Sequence, residues 1–221
     1  MPRSKEIAEK MLKTKAITVN LEEPFVFVSG TVSPVYVDCR KLLSYPSARN
    51  LVTEGFHEVL TDKIGLNKVG VIAGGETAGI PYAAFLADRT DKPMIYIRKT
   101  TKGYGQDSQI EGVLEKNQKV SLVEDVITDG TTKLKFNIGI RSSGAFMTDC
   151  LCVFSYYSTE LGLNKGKKRL EKHDIRLHSL VDWDDVLEVM NTKNIFCKNV
   201  IQEIRNFLRA PEQWASDKGL E

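Results

Sequence analysis

Strand-like and helix-like patterns alternate through the middle of this chain, and that alternation leaves few architectures open. "VGVIA" (69–73) leads through the turn "GGETAG" into "IPYAAFLADR". "MIYIR" (94–98) leads into a polar, glycine-containing segment reaching about Glu111. "KVSLVED" then gives way to the helical stretch "TTKLKFNIGIRSSG", and the apolar run "FMTDCLCVF" follows. Strand, helix, strand in repetition argues for an α/β fold, a parallel sheet with both faces covered. Ligands of such sheets gather outside the carboxyl ends of the strands.

The two ends differ from this middle. Ile7, Ala8, Met11 and Leu12 read as the inner face of a short N-terminal helix. "EPFVFVSGTVSPVYVDCRKLL" looks like two short strands around a Gly/Pro-marked turn, before a helix from about Ser47 to Thr61. Toward the C-terminus come a strand ("IRLHSL"), a helix capped near Asp182, and an amphipathic helix from about Lys198 to Leu208. The 221 residues suffice for one sizeable core, with the first 45 or so as an appended cap.

Charge is nearly balanced, 31 basic against 29 acidic residues, so nothing in it calls for nucleic acid or an anionic membrane as partner. No apolar run approaches the roughly 20 residues that span a bilayer. The N-terminus carries Glu6 and Glu9 without an apolar core, unlike a secretory signal. Four cysteines without a CxxC pair, and three histidines without ligand spacing, speak against structural zinc and for a reducing, cytoplasmic compartment. His57, His173 and His178 read as structural, Trp183 and Trp214 as packing anchors, and "NKGKKRLEKH" (164–173) as a solvated basic face.

"VSLVEDVITDGTTK" (120–133) carries the densest chemistry. An apolar run ends in adjacent carboxylates, Glu124 and Asp125; Val126 and Ile127 lead on to Thr128, Asp129, Gly130, Thr131 and Thr132, where a loop turns into a helix. The backbone N–H groups of such a loop, with the positive helix end, suit a phosphate. Gly130 permits close approach, and the threonines add hydroxyl donors. Carboxylates repel phosphate, so Glu124 and Asp125 serve another part of the ligand: vicinal ribose hydroxyls, or Mg²⁺ held by Asp125 through water. The spacing describes a ribose 5-phosphate. Its alternative is a set of helix-cap residues after an ordinary strand.

The same string closely resembles the phosphoribosyl pyrophosphate motif of the type I phosphoribosyltransferases. "SGTVSPVYVDCRKLLSYP" (29–46), "GGETAGIPYAA" (74–84) and "IRKTTKGYGQDSQIEG" (97–112) resemble the orotate phosphoribosyltransferase family, in the same order, over about residues 20 to 155. The resemblance implies the type I fold, a central mostly parallel sheet flanked by helices with a small N-terminal hood. It implies Mg²⁺-dependent transfer of phosphoribosyl from phosphoribosyl pyrophosphate to orotate, giving orotidine 5′-phosphate and pyrophosphate in pyrimidine biosynthesis.

By that resemblance Glu124 to Thr132 hold the ribose phosphate, while Arg98, Lys99 and Lys102 meet the pyrophosphate with Tyr104 beside them. Glu76 and Thr77 line the pyrophosphate from the "GGETAG" turn, and Tyr36 lies against the base. Lys102, Asp125 and Arg98 are the expected catalytic groups, since cations aimed at a leaving pyrophosphate are worth most as its charge grows. The family also implies a homodimer whose 98–112 loop reaches the neighbouring site; Gly103, Gly105 and Gly112 suit a mobile lid. Read by themselves, Glu76 is equally a helix cap, Tyr36 a core residue and the 98–102 cations a solvated loop.

Three positions depart from the family pattern. Val28 stands where many members have Lys, Tyr104 where His is common, and Tyr156 and Tyr157 where an orotate-binding Arg is expected. A carboxylated base calls for a guanidinium or equivalent donors; Thr128, Arg40, Lys41, backbone N–H groups or a tyrosine hydroxyl are the substitutes. The departures leave open transfer to another base, or a non-catalytic phosphoribosyl pyrophosphate sensor.

Overall fold

The computed structural model describes residues 2–27, 29–100 and 109–220. The chain opens with α1 (Arg3–Lys13), followed by the short strands β1 (Ile17–Val19), β2 (Phe25–Val26), β3 (Val32–Ser33) and β4 (Val35–Val37). β1 pairs antiparallel with β4, and β2 with β3, forming two small ribbons. A 3₁₀ turn over Cys39–Ser44 leads into α2 (Pro46–Glu58), which Pro46 opens at its first position. Pro fits there because the N–H it lacks would go unused.

The alternating middle is as the pattern requires: β5 (Val71–Gly75), α3 (Gly79–Thr90), β6 (Met94–Ile97), β7 (Ile110–Glu111), β8 (Lys119–Ile127), α4 (Thr131–Ser142) and β9 (Phe146–Ser155). Then come α5 (Lys165–Glu171), β10 (Arg176–Asp182), α6 (Trp183–Thr192), α7 (Lys198–Arg209) and α8 (Pro211–Asp217). Six strands form one sheet in the order β10-β9-β8-β5-β6-β7. Every pairing is parallel except that of β6 with β7.

Two apolar layers sandwich this sheet. One joins α1, α2, α3, α6 and α7 through residues such as Met11, Phe56, Leu86, Trp183 and Ile204; the other joins α4 and α5 through Phe136, Ile140 and Leu170. β8 and β9 are buried on both faces, which is why they read as continuous apolar runs. Cys150 and Cys152, two apart, both point into the second layer as packing groups. α3 rests directly on β8, because a Cβ on Gly79 would lie 2.3 Å from the Val123 carbonyl oxygen.

The sequence expectations hold for the central elements, with one adjustment. α1 joins the main core rather than a cap: Ile7, Ala8 and Met11 are buried, and Ser4 Oγ donates to Asp185 Oδ1 at 2.7 Å. The hood is therefore the four short strands. α6 starts with a reciprocal capping box between Asp182 and Asp185, as the position of Asp182 suggested. The basic run at 164–173 folds into α5, with Gly166 and Leu170 buried. His178 is structural, its Nε2 2.8 Å from Asp149 Oδ1, and Trp183 and Trp214 are buried anchors. No helix among the described residues is long and apolar enough to cross a membrane.

Candidate active site

The carboxyl ends of β5, β6 and β8 open on one side of the sheet, and a cavity of about 600 Å³ lies there. Glu76, Thr77, Lys99, Glu124, Asp125 and Thr132 line it, with Arg40 and Leu43 on the hood side. Six residues singled out from sequence thus converge from three separate turns. β8 supplies the acidic doublet, and the turn after β5 supplies Glu76 and Thr77.

Glu76 is not a helix cap. Its Oε2 accepts the Lys99 backbone N–H at 2.8 Å, and its own N–H donates to the Ile97 carbonyl at 2.9 Å. The turn after β5 is thereby tied to the end of β6, which holds Lys99 against the cavity. The peptide bond joining Glu76 and Thr77 is cis. Arg98 turns the other way, its Nη1 3.9 Å from Glu111 Oε1, and does not line the cavity. Gln109 Nε2 donates to the carbonyls of Arg98 and Lys99 at 3.2 and 3.3 Å, bracing that corner. Lys102, Tyr104 and Val28 lie outside the described residues.

The acidic doublet divides its roles. Both carboxylates line the cavity, but Glu124 is set deep in its wall, only 4% exposed. Its Oε2 accepts from Lys133 Nζ at 3.0 Å, while Oε1 is buried without a hydrogen bond. Burial raises the Glu124 carboxyl to about 7 despite the opposing pull of Lys133. Gly75 makes room for this carboxylate, since a Cβ there would sit 1.8 Å from Oε1. Asp125 is half-buried and bears electrostatically on Arg40, Cys39 and Tyr82, toward the hood. Of the two carboxylates Asp125 is the more open, and Glu124 is engaged in a buried ion pair.

The loop that follows has a similar correction. Val126 packs on the first apolar layer and Ile127 is buried in the second, so their side chains are not ligand groups. Thr128 is exposed, and Gly130 caps α4 with φ 79°, a left-handed conformation that favours glycine. The turn's donors are partly engaged from within. Asp129 Oδ1 accepts the Thr131 backbone N–H at 3.1 Å, and Asp129 Oδ2 accepts the Thr131 hydroxyl at 2.6 Å. Arg169 of α5 adds its Nη1, 2.5 Å from Asp129 Oδ2, and also donates to Thr131 Oγ1. Sequence reasoning missed both Lys133, which lines the cavity, and Arg169, which contacts the turn. Arg169 sat in a basic run with no pattern to single it out, and Lys133 stood on α4 as one of several lysines.

On the hood, Tyr36 packs between aromatic neighbours, its ring centroid 5.5 Å from Phe25 and 6.0 Å from Phe27. Tyr156 lies edge-on to Phe154 and Trp183, and the Tyr157 hydroxyl is 3.1 Å from Thr159 Oγ1. Arg40 lines the cavity on this side: its Nε donates to Asp38 Oδ1 at 2.6 Å, and its other guanidinium N–H groups have no hydrogen bond among the described residues, whereas Lys41 Nζ donates to the Lys15 carbonyl at 3.0 Å.

No family model matches the chain. An orotate phosphoribosyltransferase of Jannaschia sp. (strain CCS1) is 41% identical over 213 residues, 96% of this chain and 92% of its own length. Another from Rhizobium etli (strain CIAT 652) is 40% identical over 215 residues, 97% of this chain and 91% of its own. Among solved structures, the orotate phosphoribosyltransferase of Aeropyrum pernix superposes with TM-score 0.71 and 29% identity, over 86% of this chain and 99% of that one. UMP synthase of Leishmania donovani gives TM-score 0.77 and 25% identity over 93% of this chain, which spans 42% of that longer protein.

Proposed function

The chain belongs to the orotate phosphoribosyltransferase family, and from that premise we propose how its cavity carries out the transfer. The enzyme is a pentosyltransferase of pyrimidine biosynthesis, moving phosphoribosyl from phosphoribosyl pyrophosphate to orotate. The observation that carries the assignment of the site is the convergence of Asp125, Lys99, Glu76 and Thr132 on one cavity at the carboxyl ends of the strands.

In this reading the ribose lies over Asp125, whose carboxylate accepts its vicinal hydroxyls. The 5′-phosphate meets the Thr128–Thr132 turn and the N-terminus of α4. Lys99, the turn at Glu76 and Thr77 and the lid cation Lys102 serve the pyrophosphate; Arg98, turned toward Glu111, does not. Orotate enters from the hood, and Arg40 supplies its carboxylate with the guanidinium that Tyr156 and Tyr157 cannot.

As the C1–O bond breaks, its electron pair leaves with pyrophosphate and positive charge develops at C1. A nitrogen of orotate then bonds to C1 from the opposite face, and its N–H proton is released to solvent. No covalent enzyme intermediate is needed; positioning and fixed charges lower the barrier. Lys99 stabilises charge growing on the leaving group, and Asp125 holds the sugar that flattens at C1.

Mg²⁺ fits these residues. It binds through one or two carboxylates together with substrate phosphates and waters; Asp125 lines the cavity and the Oε1 of Glu124 beside it has no hydrogen bond. Bound there, it would spread the charge of the pyrophosphate. The enzyme acts in the cytoplasm as a homodimer with the 98–112 loop shared between subunits; its buried free cysteines Cys39, Cys150 and Cys152 accord with a reducing compartment.

The test is to incubate the protein with phosphoribosyl pyrophosphate, Mg²⁺ and a panel of bases and follow pyrophosphate release. Release with orotate is expected. Turnover only with another base, or binding without release, would overturn the reading.

A further inference from the structure

α5 is packed onto the phosphate turn with little clearance. A Cβ built on Gly166 would lie 2.5 Å from the Thr128 carbonyl oxygen, and one on Gly130 would lie 3.3 Å from the Gly166 carbonyl oxygen. This close approach carries the half-buried Arg169, three residues on, to the mouth of the turn. There the Asp129 carboxylate collects three donors: the Thr131 N–H, the Thr131 hydroxyl and the Arg169 guanidinium. Such a set is what an anion with several oxygens requires. Asp129 is charged at neutral pH: partial burial pushes its carboxyl up, but the hydrogen bonds from Thr131 and Arg169 outweigh this and hold it at about 2.

We propose that Arg169 is a direct ligand of the substrate's 5′-phosphate, and that Asp129 occupies its guanidinium as an internal anion until the phosphate takes over those donors. The inference rests on the functional reading above for the location of the phosphate. The seat is already assembled in the free protein, so the phosphate exchanges with a carboxylate rather than ordering a loose loop. Arg169 suits the role because its planar fork can pair with two oxygens and never loses its charge. Asp129 works against the incoming dianion by like-charge repulsion, so its removal favours the ligand. A merely supportive Asp129–Arg169 pair would behave differently, with loss of either partner weakening the turn in the same direction.

The experiment is calorimetric titration of ribose 5-phosphate and of orotate into the parent, Arg169→Ala and Asp129→Asn, with thermal melts verifying that each variant is folded. Arg169→Ala should weaken ribose 5-phosphate by about 10- to 100-fold, as expected for a lost charged hydrogen bond, with orotate binding unchanged. Asp129→Asn keeps an acceptor for the Thr131 N–H and should bind ribose 5-phosphate at least as tightly as the parent. Folded Arg169→Ala that binds ribose 5-phosphate like the parent, or equal weakening in both variants, would overturn the proposal. A parent that does not bind ribose 5-phosphate at all would overturn the functional reading along with it. Should Arg169→Ala fail to fold, Arg169→Gln, which retains the stem and a hydrogen-bond donor, takes its place under the same criteria.

Discussion

The Lys133 ammonium lies 3.0 Å from Glu124 Oε2 in the wall of the cavity, and both side chains are less than a tenth exposed. Breaking a buried pair leaves a charge without compensation, which costs about 3–5 kcal/mol. Lys133→Met should therefore lower stability by about that amount in urea unfolding, whereas Lys133→Met with Glu124→Gln should recover most of it. Equal losses in the single and double variants would show that the pair does not matter.

Glu124 also sets a pH dependence. Its folded carboxyl, raised to about 7 from an ordinary 4.5, holds a proton that the unfolded chain has already released between those values. Its contribution to stability is thus complete below about 4.5 and is lost as pH rises through about 7. Glu124→Gln should flatten the stability profile across that window relative to the parent. Parallel profiles would contradict it.

Asp125→Asn removes the charged acceptor proposed for the ribose while keeping the shape of the side chain. A hydrogen bond to a charged group contributes about 1.5–3 kcal/mol, so kcat/KM for phosphoribosyl pyrophosphate should fall by about 10- to 150-fold. Unaltered steady-state kinetics would remove Asp125 from the site.

Arg40→Ala addresses the base end. The KM for orotate should rise about 10- to 100-fold while that for phosphoribosyl pyrophosphate holds, because only the carboxylate of the base meets the guanidinium. A change confined to the other substrate would move the orotate subsite elsewhere.

Gly166→Ala tests how α5 is seated. The new methyl would be 2.5 Å from the Thr128 carbonyl oxygen, so helix and turn must separate. Overpacking of this kind costs about 1–3 kcal/mol, and the apparent affinity for ribose 5-phosphate should drop with it. A melting temperature and an affinity equal to the parent's would mean that the contact relaxes without consequence.

Much of this architecture was written locally. The apolar runs of β5, β8 and β9 and the turns after β5 and β8 are contiguous in sequence, so their order predicts the sheet and the edge where the cavity opens. Asp182 likewise announced its helix by capping chemistry alone. The short strand β7 was not legible, because two residues carry no periodicity and only pairing with β6 defines them.

Adjacent carboxylates at 124 and 125, and a hydroxyl-rich turn behind them, followed from the sequence by itself, because strand and loop chemistry depend on neighbours along the chain. How deeply each carboxylate is set was decided by the tertiary structure: α4 brings Lys133 against Glu124, and the electrostatic reach of Asp125 is toward Arg40. The placement of Arg169 was decided the same way, some forty residues beyond the turn it touches, through a glycine contact between α5 and a carbonyl. Pairings over such distances depend on packing between elements, and no local pattern of residues encodes them.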